Sequence, residues 1–415
     1  MIARVAVVGS GPAGLFLADA LSRSKEPVAV DVLERLPFPF GLIRYGVAPD
    51  HQGTKAVTRN LARVMERPRV RFFGGLAVGE AITLETLRDL YDAVVVAAGA
   101  AGARRLEFPG SESPLCVTGF DLARWVNGHP DYEGFRLPDG IGTVAILGHG
   151  NVALDVARLF VKQPDALAAS DAAEEFVEWR RRSAVECVTL CGRGTPESAR
   201  FSQEMLEELR DLPGVELLRD EPGEGASSPG APGAAGIIAR LPEAPRSTAS
   251  LPVRLLFGAK PLRFEQGRLT VDRQGEVISV PAGLVVQAVG QVGTAIAALA
   301  SDATGPLATD GGEVLGWPGV FVAGWAAGAA TGTIPDSRSQ ARVLAPRVLE
   351  AAERAAGAAG DRADLADWLR ARGHKTTSWE DWLAIDRLEL TSGAAIGACR
   401  RKMRSLEQAR SAGAG

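Results

Sequence analysis

The chain has 415 residues, a net charge of −4 at pH 7 and four cysteines. This length suits two to three domains, and no basic tract has the density typical of a nucleic-acid surface. No apolar run is long enough to span a bilayer, and no leader-type segment precedes the first strand. We therefore expect a soluble, cytoplasmic protein without nucleic-acid or membrane partners. The sequence does not indicate its oligomeric state.

The first predicted elements are a strand, a glycine-rich turn and a helix. Residues 5–14 read VAVVGSGPAG, in which Gly9, Gly11 and Gly14 have the spacing GxGxxG. Gly9 permits a tight turn, Gly11 lets the backbone approach a pyrophosphate, and Gly14 lets the helix pack on the strand. Glu34 ends the next strand, where an acidic side chain accepts hydrogen bonds from an adenosine ribose. The N-terminal segment is therefore predicted to bind a dinucleotide.

A second copy of this pattern lies further along the chain. Residues 143–158, TVAILGHGNVALDVAR, again give a strand, a glycine turn (Gly148, Gly150 and Ala153) and a helix. The following strand ends at Arg193, a base where the first copy has an acid. An acid suits the free ribose hydroxyls of FAD or NAD, whereas an arginine suits the 2′-phosphate of NADP. The pair predicts a flavin and a pyridine nucleotide in one chain. The other interpretation is a degenerate repeat that only packs.

Strand, turn and helix signals alternate along the whole chain, which predicts the α/β class with two Rossmann-like dinucleotide-binding domains. We predict a discontinuous FAD-binding domain, built from residues 1–103 and from a returning segment with C-terminal helices, 319–415. Residues 104–318 are the predicted NAD(P)H-binding domain. Within it, the Gly- and Pro-rich stretch 221–250 is a predicted flexible loop. Residues 164–183 are predicted to form a polar surface helix.

Four longer motifs resemble the adrenodoxin-reductase-type ferredoxin–NADP reductases, which are two-dinucleotide-binding flavoproteins. They are PFGLIRYGVAPDHQGTK (39–55), GHGNVALDVAR (148–158), GWAAGAATGTI (324–334) and WLAIDRLE (382–389). The resemblance covers essentially the whole chain and implies hydride transfer from NADPH to FAD, then single-electron transfer to a ferredoxin. No CxxC follows the first glycine motif, so a dithiol relay is not expected. A ferredoxin is typically acidic, and the candidate dock is basic: Arg180, Arg181, Arg182 and Arg200. The alternative for these arginines is ordinary solvated helix charge.

The resemblance also implies which residues contact the cofactors. For FAD they are Gly9, Gly11, Pro12, Ala13, Gly14, Glu34, Leu42, Val78, Trp325, Gly332, Thr333 and Ile334. For NADP they are Gly150, Asn151, Val152, Ala153, Arg193 and Glu204. His51 and Glu208 match the family's catalytic positions near the flavin, where they would shape proton access and place the nicotinamide. The alternatives are a loop histidine with local hydrogen bonds and a solvated acidic helix face.

Three departures from the family pattern cluster around the predicted cofactors. The family has two adjacent arginines where this chain has Arg193-Gly194, although Arg200 is a candidate to compensate. It has a basic Lys-Arg-Gly-Pro run beside the flavin, where residues 326–330 read AAGAA. It has Pro-Glu or Pro-Lys in place of Gln52-Gly53. These changes leave an alternative function open: a diverged FAD-dependent enzyme that acts on a small organic substrate, with weakened use of NADPH and ferredoxin.

Overall fold

A computed structural model describes residues 2–220, 231–247, 250–293, 309–327, 332–358, 362–405 and 407–408. The chain divides into two compact units. The first contains Met1–Val47, His51–Gly102 and Gly290–Gly415, and the second contains Ala48–Asp50 and Ala103–Val289. The chain returns to the first unit at Gly290, earlier than the residue 319 predicted from the sequence.

The N-terminal segment alternates strands and helices. Its strands are β1 (Ala3–Val8), β2 (Val28–Glu34), β3 (Val70–Gly74), β4 (Ala93–Val96) and β5 (Ala100–Ala103). Its helices are α1 (Pro12–Ser22), α2 (Gly41–Tyr45), α3 (Gln52–Lys55), α4 (Thr58–Met65) and α5 (Leu84–Leu90). Pro12 starts α1 because its fixed φ suits the first helical position, where no backbone N–H is needed.

The middle segment builds the second unit. Its strands are β6 (Cys116–Thr118), β7 (Thr143–Leu147), β8 (Cys187–Cys191), β9 (Val215–Asp220), β10 (Leu251–Leu256), β11 (Ala259–Glu265), β12 (Arg268–Arg273), β13 (Glu276–Pro281) and β14 (Leu284–Gln287). Its helices are α6 (Gly119–Val126), α7 (Asn151–Val161), α8 (Pro164–Ala168), α9 (Glu174–Arg182), α10 (Gln203–Arg210) and α11 (Gly233–Ile238).

The last segment completes the first unit. Its strands are β15 (Gln291–Gly293), β16 (Thr309–Asp310), β17 (Glu313–Val314) and β18 (Val320–Val322). Its helices are α12 (Ile334–Ala358), α13 (Leu365–Ala371) and α14 (Trp379–Ala394). No helix among the described residues combines the length and the apolar character that crossing a membrane requires.

Each unit is built on its own sheet with a parallel core. Within the described residues, the first unit's larger sheet has seven strands in the order β16-β17-β18-β4-β1-β2-β3. The strands from β18 to β3 are parallel, so β18 brings the returning segment beside β4. The second unit's larger sheet, again counted over the described residues, has six parallel strands in the order β6-β14-β7-β8-β10-β9. A separate antiparallel sheet, β11-β12-β13, also belongs to this unit.

The structure corrects two sequence predictions in the second unit. Within the predicted flexible loop 221–250, α11 is helical and buries Ile237 and Ile238 in the core; residues 221–230 and 248–249 lie outside the described part. Within the predicted surface helix 164–183, α8 and α9 are separate helices, and α9 buries Phe176 and Trp179. In both cases a few large apolar residues override a polar or low-complexity average.

Candidate dinucleotide sites

The first glycine loop, residues 9–14, leaves an open cradle at the start of α1. A Cβ added at Gly9 would lie 2.4 Å from the carbonyl oxygen of Ala97, and one added at Gly14 would lie 2.0 Å from that of Gly9. At Gly11, by contrast, no atom of the described residues lies within 4 Å of an added Cβ. Gly11 is the N-cap of α1 and supplies no side-chain cap, so the helix N-terminus faces this space. Such a cradle fits a pyrophosphate group.

Glu34 ends β2 and is hydrogen-bonded to the first glycine loop. Its Oε2 accepts hydrogen bonds from Ser10 N (3.0 Å) and Ser10 Oγ (2.7 Å), and its Oε1 accepts one from Leu36 N (3.1 Å). These bonds hold the carboxylate at the end of the strand. A carboxylate has about four acceptor positions, so after these three hydrogen bonds from described residues one position on Oε1 is open for a ribose hydroxyl.

The segment after β2 turns back over the first glycine loop. Phe40 N donates to Ser10 O (3.0 Å), and a Cβ added at Gly41 would lie 3.1 Å from Gly11 Cα. Phe40 itself has a φ of 82°, a left-handed conformation that is costly for a residue with a side chain. The half-buried Leu42 follows in α2. The strained turn therefore places Gly41 against the first glycine loop, and the predicted FAD residue Leu42 is the next residue in the chain.

Two other predicted FAD residues follow strands at opposite ends of the parallel part of the same sheet. Val78 comes shortly after β3, and Trp325 comes shortly after β18. Because β18, β4, β1, β2 and β3 are parallel, their carboxyl ends meet at one edge, where α/β proteins bind ligands. At this edge a Cβ added at Gly324 would lie 2.5 Å from the Cβ of Ala13, next to Pro12. The returning segment thus packs directly on the first glycine loop.

The residues that open α12 have a hydrogen-bonded turn of their own. Thr333 donates to Asp336 Oδ2 through both its backbone N (2.6 Å) and its Oγ1 (2.8 Å). These bonds lower the pKa of Asp336, the backbone one most strongly. Gly332 has a φ of 102°, and Ile334 begins the helix. The backbone N–H of Thr333, a residue that the resemblance assigned to FAD, therefore donates to Asp336 in this structure.

The alanine run beside the predicted flavin position is described only in part. Ala326 is buried in the first unit's core, whereas Ala327 is exposed. Residues 328–330 lie outside the described residues. The basic run of the family is thus replaced by one core methyl group and one surface methyl group at the two described positions.

The second glycine loop, residues 148–153, repeats the construction of the first. Gly148 has a φ of 130°, and a Cβ added to it would lie 2.4 Å from the carbonyl oxygen of Ala288. Ala288 follows β14 as Ala97 follows β4. At Gly150 no described atom lies within 4 Å of an added Cβ, and Ala153 is fully buried against the sheet. This open cradle favours a nucleotide site over a degenerate repeat that only packs.

The remaining predicted NADP residues lie at the start of α7, after β8 and in α10. Asn151 Oδ1 accepts a hydrogen bond from Ser202 N (2.8 Å), and Val152 is exposed at the start of α7. Arg193 is exposed after β8. Glu204 is exposed in the first turn of α10, and hydrogen bonds from its own backbone and from Ser202 lower its pKa. Asn151, Val152 and Arg193 are at the carboxyl edge of the second sheet, as the sequence predicts for nucleotide contacts.

Glu208 lies near a buried cation. Its Oε1 is 3.7 Å from Nε of the fully buried Arg158, which also pairs with Asp50 (2.9 Å) and Asp155 (2.8 Å). Burial alone would raise the pKa of Asp50, but Arg158 and Lys162 outweigh it and hold that pKa well below its usual range. Glu208 therefore interacts with a buried arginine, which the alternative of a solvated acidic helix face did not include.

His51, the other predicted catalytic residue, is half-buried at the N-cap of α3. Its carbonyl oxygen accepts a hydrogen bond from Lys55 N (3.1 Å). This bond fixes the backbone of the loop at His51, directly after Asp50 in sequence. The local hydrogen-bond alternative thus holds for its backbone, and the catalytic role stays a prediction.

His149 was not singled out from the sequence, although it lies inside the second glycine loop. Its Nε2 is 3.2 Å from the carbonyl oxygen of Leu190, and its ring centroid is 4.4 Å from that of Phe257. Burial lowers its pKa to about 4, although the hydrogen bond to Leu190 acts in the opposite direction. The Leu190 contact makes Nε2 the donor, so the neutral ring carries its proton there.

The prediction that Arg180 is part of a basic surface for a ferredoxin is wrong. Its side chain is buried and donates to the carbonyl oxygens of Ser183 (3.2 Å) and Lys162 (3.4 Å), and burial lowers its pKa to about 10. Arg181 pairs with Asp165 (3.1 Å), so part of its charge is already compensated. A run of three arginines on a helix indicates surface charge, but one of the three faces the core.

Comparison with known proteins identifies close relatives. Residues 3–221 match the family model described as pyridine nucleotide-disulphide oxidoreductase. The chain is 34% identical to NADPH-ferredoxin reductase FprA of Mycobacterium tuberculosis over 97% of both chains. It is 30% identical to mitochondrial NADPH:adrenodoxin oxidoreductase of Drosophila melanogaster, over 98% of this chain and 92% of that one. The solved structure of Mycobacterium tuberculosis FprA in complex with NADPH matches with a TM-score of 0.91 and 31% identity, covering 100% of both chains.

Proposed function

Because this chain belongs to the pyridine nucleotide-disulphide oxidoreductases, and among them to the adrenodoxin-reductase-type ferredoxin–NADP reductases, we propose that it is an NADPH–ferredoxin reductase. One observation carries the proposal: two open glycine cradles of the same construction, the first followed by an acid at Glu34 and the second by a base at Arg193. The acid suits FAD, and the base suits NADPH. Bound FAD would supply the conversion between a two-electron hydride donor, NADPH, and a one-electron acceptor.

The residues of the two glycine loops and of the helices that follow them are the ones that would bind the two nucleotides. The first glycine loop and the N-terminus of α1 would bind the FAD pyrophosphate, and Glu34 would accept a hydrogen bond from a ribose hydroxyl. Gly150, Asn151 and the N-terminus of α7 would bind the NADPH pyrophosphate in the same way. We propose that His51 and Glu208 are positioning residues for the nicotinamide. In that role the carboxylate of Glu208 lies 3.7 Å from Nε of Arg158.

The acceptor is a ferredoxin, as the names of the relatives indicate for those proteins. The burial of Arg180 removes it from the predicted dock, whereas Arg181, Arg182 and Arg200 are exposed and stay candidates. We also propose that the enzyme acts in the cytoplasm. Cys116 and Cys191 are buried thiols, which suits a reducing compartment. The alternative function, a diverged enzyme for a small organic substrate, is not favoured, because both glycine cradles are intact.

Anaerobic stopped-flow mixing tests the function. The purified yellow holoprotein is mixed with NADPH, and its flavin absorbance should bleach; a ferredoxin added next should restore it. Gly150→Val is the matched control, because its side chain enters only the second cradle: the variant should stay yellow but should no longer bleach. A native protein whose flavin is reduced by neither NADPH nor NADH would contradict the proposal.

A further inference from the structure

The turn after β8 has no free space for a side chain at position 194 while the Ser198 hydroxyl keeps its present position. A Cβ added at Gly194 would lie 2.2 Å from Ser198 Oγ. That hydroxyl is itself engaged, because it donates to the carbonyl oxygen of Thr195 (2.9 Å). Gly194 and Ser198 therefore fit together as a pair. Since residue 194 carries no side chain, a second cation for a 2′-phosphate has to come from another residue.

Arg200 has its backbone fixed beside the second glycine loop. Its N–H donates to the carbonyl oxygen of His149 (2.7 Å), and it forms an isolated parallel bridge with Gly150. The next residue, Phe201, is buried with its ring centroid 6.1 Å from that of His149. One residue further, Ser202 N donates to Asn151 Oδ1 (2.8 Å). Three consecutive residues are thus bound to the loop, so residue 200 has a defined position.

Arg193 is fixed next to the same loop residue. A Cβ added at Gly192 would lie 2.3 Å from Nδ1 of His149, so the chain just before Arg193 touches that ring. The carbonyl oxygens of Gly192 and Gly194 accept hydrogen bonds from Ala259 N (2.9 Å) and Gly258 N (3.0 Å). His149 therefore contacts both segments, the one that carries Arg193 through its ring and the one that carries Arg200 through its carbonyl oxygen.

The two guanidinium groups are available for an anion. Arg193 and Arg200 are both exposed, and neither makes an ion pair or a side-chain hydrogen bond with any described residue. Arg210, on the helix that follows, pairs with Asp211 (2.8 Å) instead. Arginine binds phosphate groups well because its planar donors match their oxygen geometry.

We propose that Arg193 and Arg200 together bind the 2′-phosphate of NADPH, and that Arg200 replaces the second arginine of the family. Gly194, Ser198 and Arg200 then form what we call a coupled exchange. Gly194 lacks the side chain of the family's second arginine, the Ser198 hydroxyl occupies the space that its Cβ would need, and Arg200 supplies the second cation. The inference rests on the proposed function, since it takes the second cradle as the NADPH site.

Isothermal titration of the holoprotein with 2′,5′-ADP and with 5′-AMP tests this directly, because only the first carries a 2′-phosphate. Arg200→Ala and Arg193→Ala should each weaken 2′,5′-ADP binding roughly tenfold or more and change 5′-AMP binding less than about twofold. Arg200→Lys should lose less affinity for 2′,5′-ADP than Arg200→Ala, since lysine keeps the positive charge. Arg210→Ala, an equal loss of charge nearby, should leave both ligands unchanged.

A restoration experiment tests the coupled exchange. In the Arg200→Ala background, Gly194→Arg combined with Ser198→Ala should recover most of the 2′,5′-ADP affinity. Gly194→Arg alone should recover less, because Ser198 occupies the space of the new Cβ. Unchanged 2′,5′-ADP binding in Arg200→Ala, or an equal loss for 5′-AMP, would overturn the inference. If NADPH still bleaches the native flavin in that case, the proposed function stands; a flavin that no nucleotide reduces would overturn the function instead.

Discussion

Arg44 and Glu389, 345 residues apart in sequence, form a buried bidentate ion pair inside the first unit. Nη1 of Arg44 is 2.9 Å from Oε2, and Nη2 is 2.5 Å from Oε1. Arg400 and the backbone N of Met403 also donate to the Glu389 carboxylate, each at 2.7 Å. Burial alone would raise the pKa of Glu389, but Arg44, Arg400 and the Met403 amide together outweigh it and the pKa is lowered. Since α2, which carries Arg44, directly follows Phe40, α14 holds the segment above the first glycine loop.

Removing the charge of Glu389 should destabilise the first unit. Glu389→Gln leaves the buried Arg44 without a counter-charge, which costs about 3–5 kcal/mol of unfolding free energy. Urea unfolding measures the loss, and FAD retained after gel filtration should fall with it. Asp386→Asn is the matched control, because Asp386 pairs with Arg400 (2.7 Å) at a more exposed position. Its cost should stay below about 1 kcal/mol. Equal losses in the two variants would show that the buried pair has no special role.

The two glycines of the first loop should fail in different ways when replaced. Gly11 has a φ of −74° and open space around an added Cβ, so Gly11→Val should fold with an unchanged melting temperature in the absence of FAD. It should purify colourless, because the branched side chain occupies the pyrophosphate position. Gly14→Val should not fold, since its Cβ would lie 2.0 Å from the carbonyl oxygen of Gly9. A fully yellow Gly11→Val protein would contradict the assignment of this cradle to FAD.

Local patterns predicted the parts of the site that depend on a few neighbouring residues. Both glycine loops, the acid at Glu34 and the base at Arg193 follow from a strand, a turn and a helix in order. The comparisons with known proteins confirm the family and the α/β fold. The assignment of individual side chains to each cofactor stays a prediction.

Features that depend on residues far apart in sequence could not be predicted. Nothing in the sequence near Arg44 indicates its pairing with Glu389, which requires α14 to pack beside α2. The burial of Arg180 could not be predicted, because the three consecutive arginines look alike in the sequence and only Arg181 and Arg182 are exposed. The occupied amide of Thr333 depends on Asp336, three residues further on, which the family motif does not include.

Stability should fall as the pH drops because of His149. Burial lowers its folded pKa to about 4 from an ordinary value of 6.5, so the unfolded chain binds this proton first. The neutral ring's contribution is therefore complete above pH 6.5 and is lost as the pH falls from 6.5 towards 4. The whole difference amounts to about 3 kcal/mol. Urea unfolding of the native protein and of His149→Gln at several pH values measures it. The difference in unfolding free energy between the two proteins should be constant above pH 6.5 and should shrink below it; a constant difference throughout would contradict this account.

A cation returned to the alanine run should speed reduction of the flavin by NADPH. Ala327 is exposed, so Ala327→Lys should leave the fold and the bound FAD unchanged, whereas Ala326 is buried and would not accept a charge. A lysine here favours the negative charge of the reduced cofactor. An exposed charge contributes up to about 1 kcal/mol, which corresponds to a rate increase of roughly fivefold or less. Stopped-flow bleaching measures the rate, and Ala327→Gln controls for side-chain size. If Ala327→Lys and Ala327→Gln change the rate equally, charge is not the cause. If neither changes the rate while turnover of a small apolar substrate is lost, the alternative function gains support.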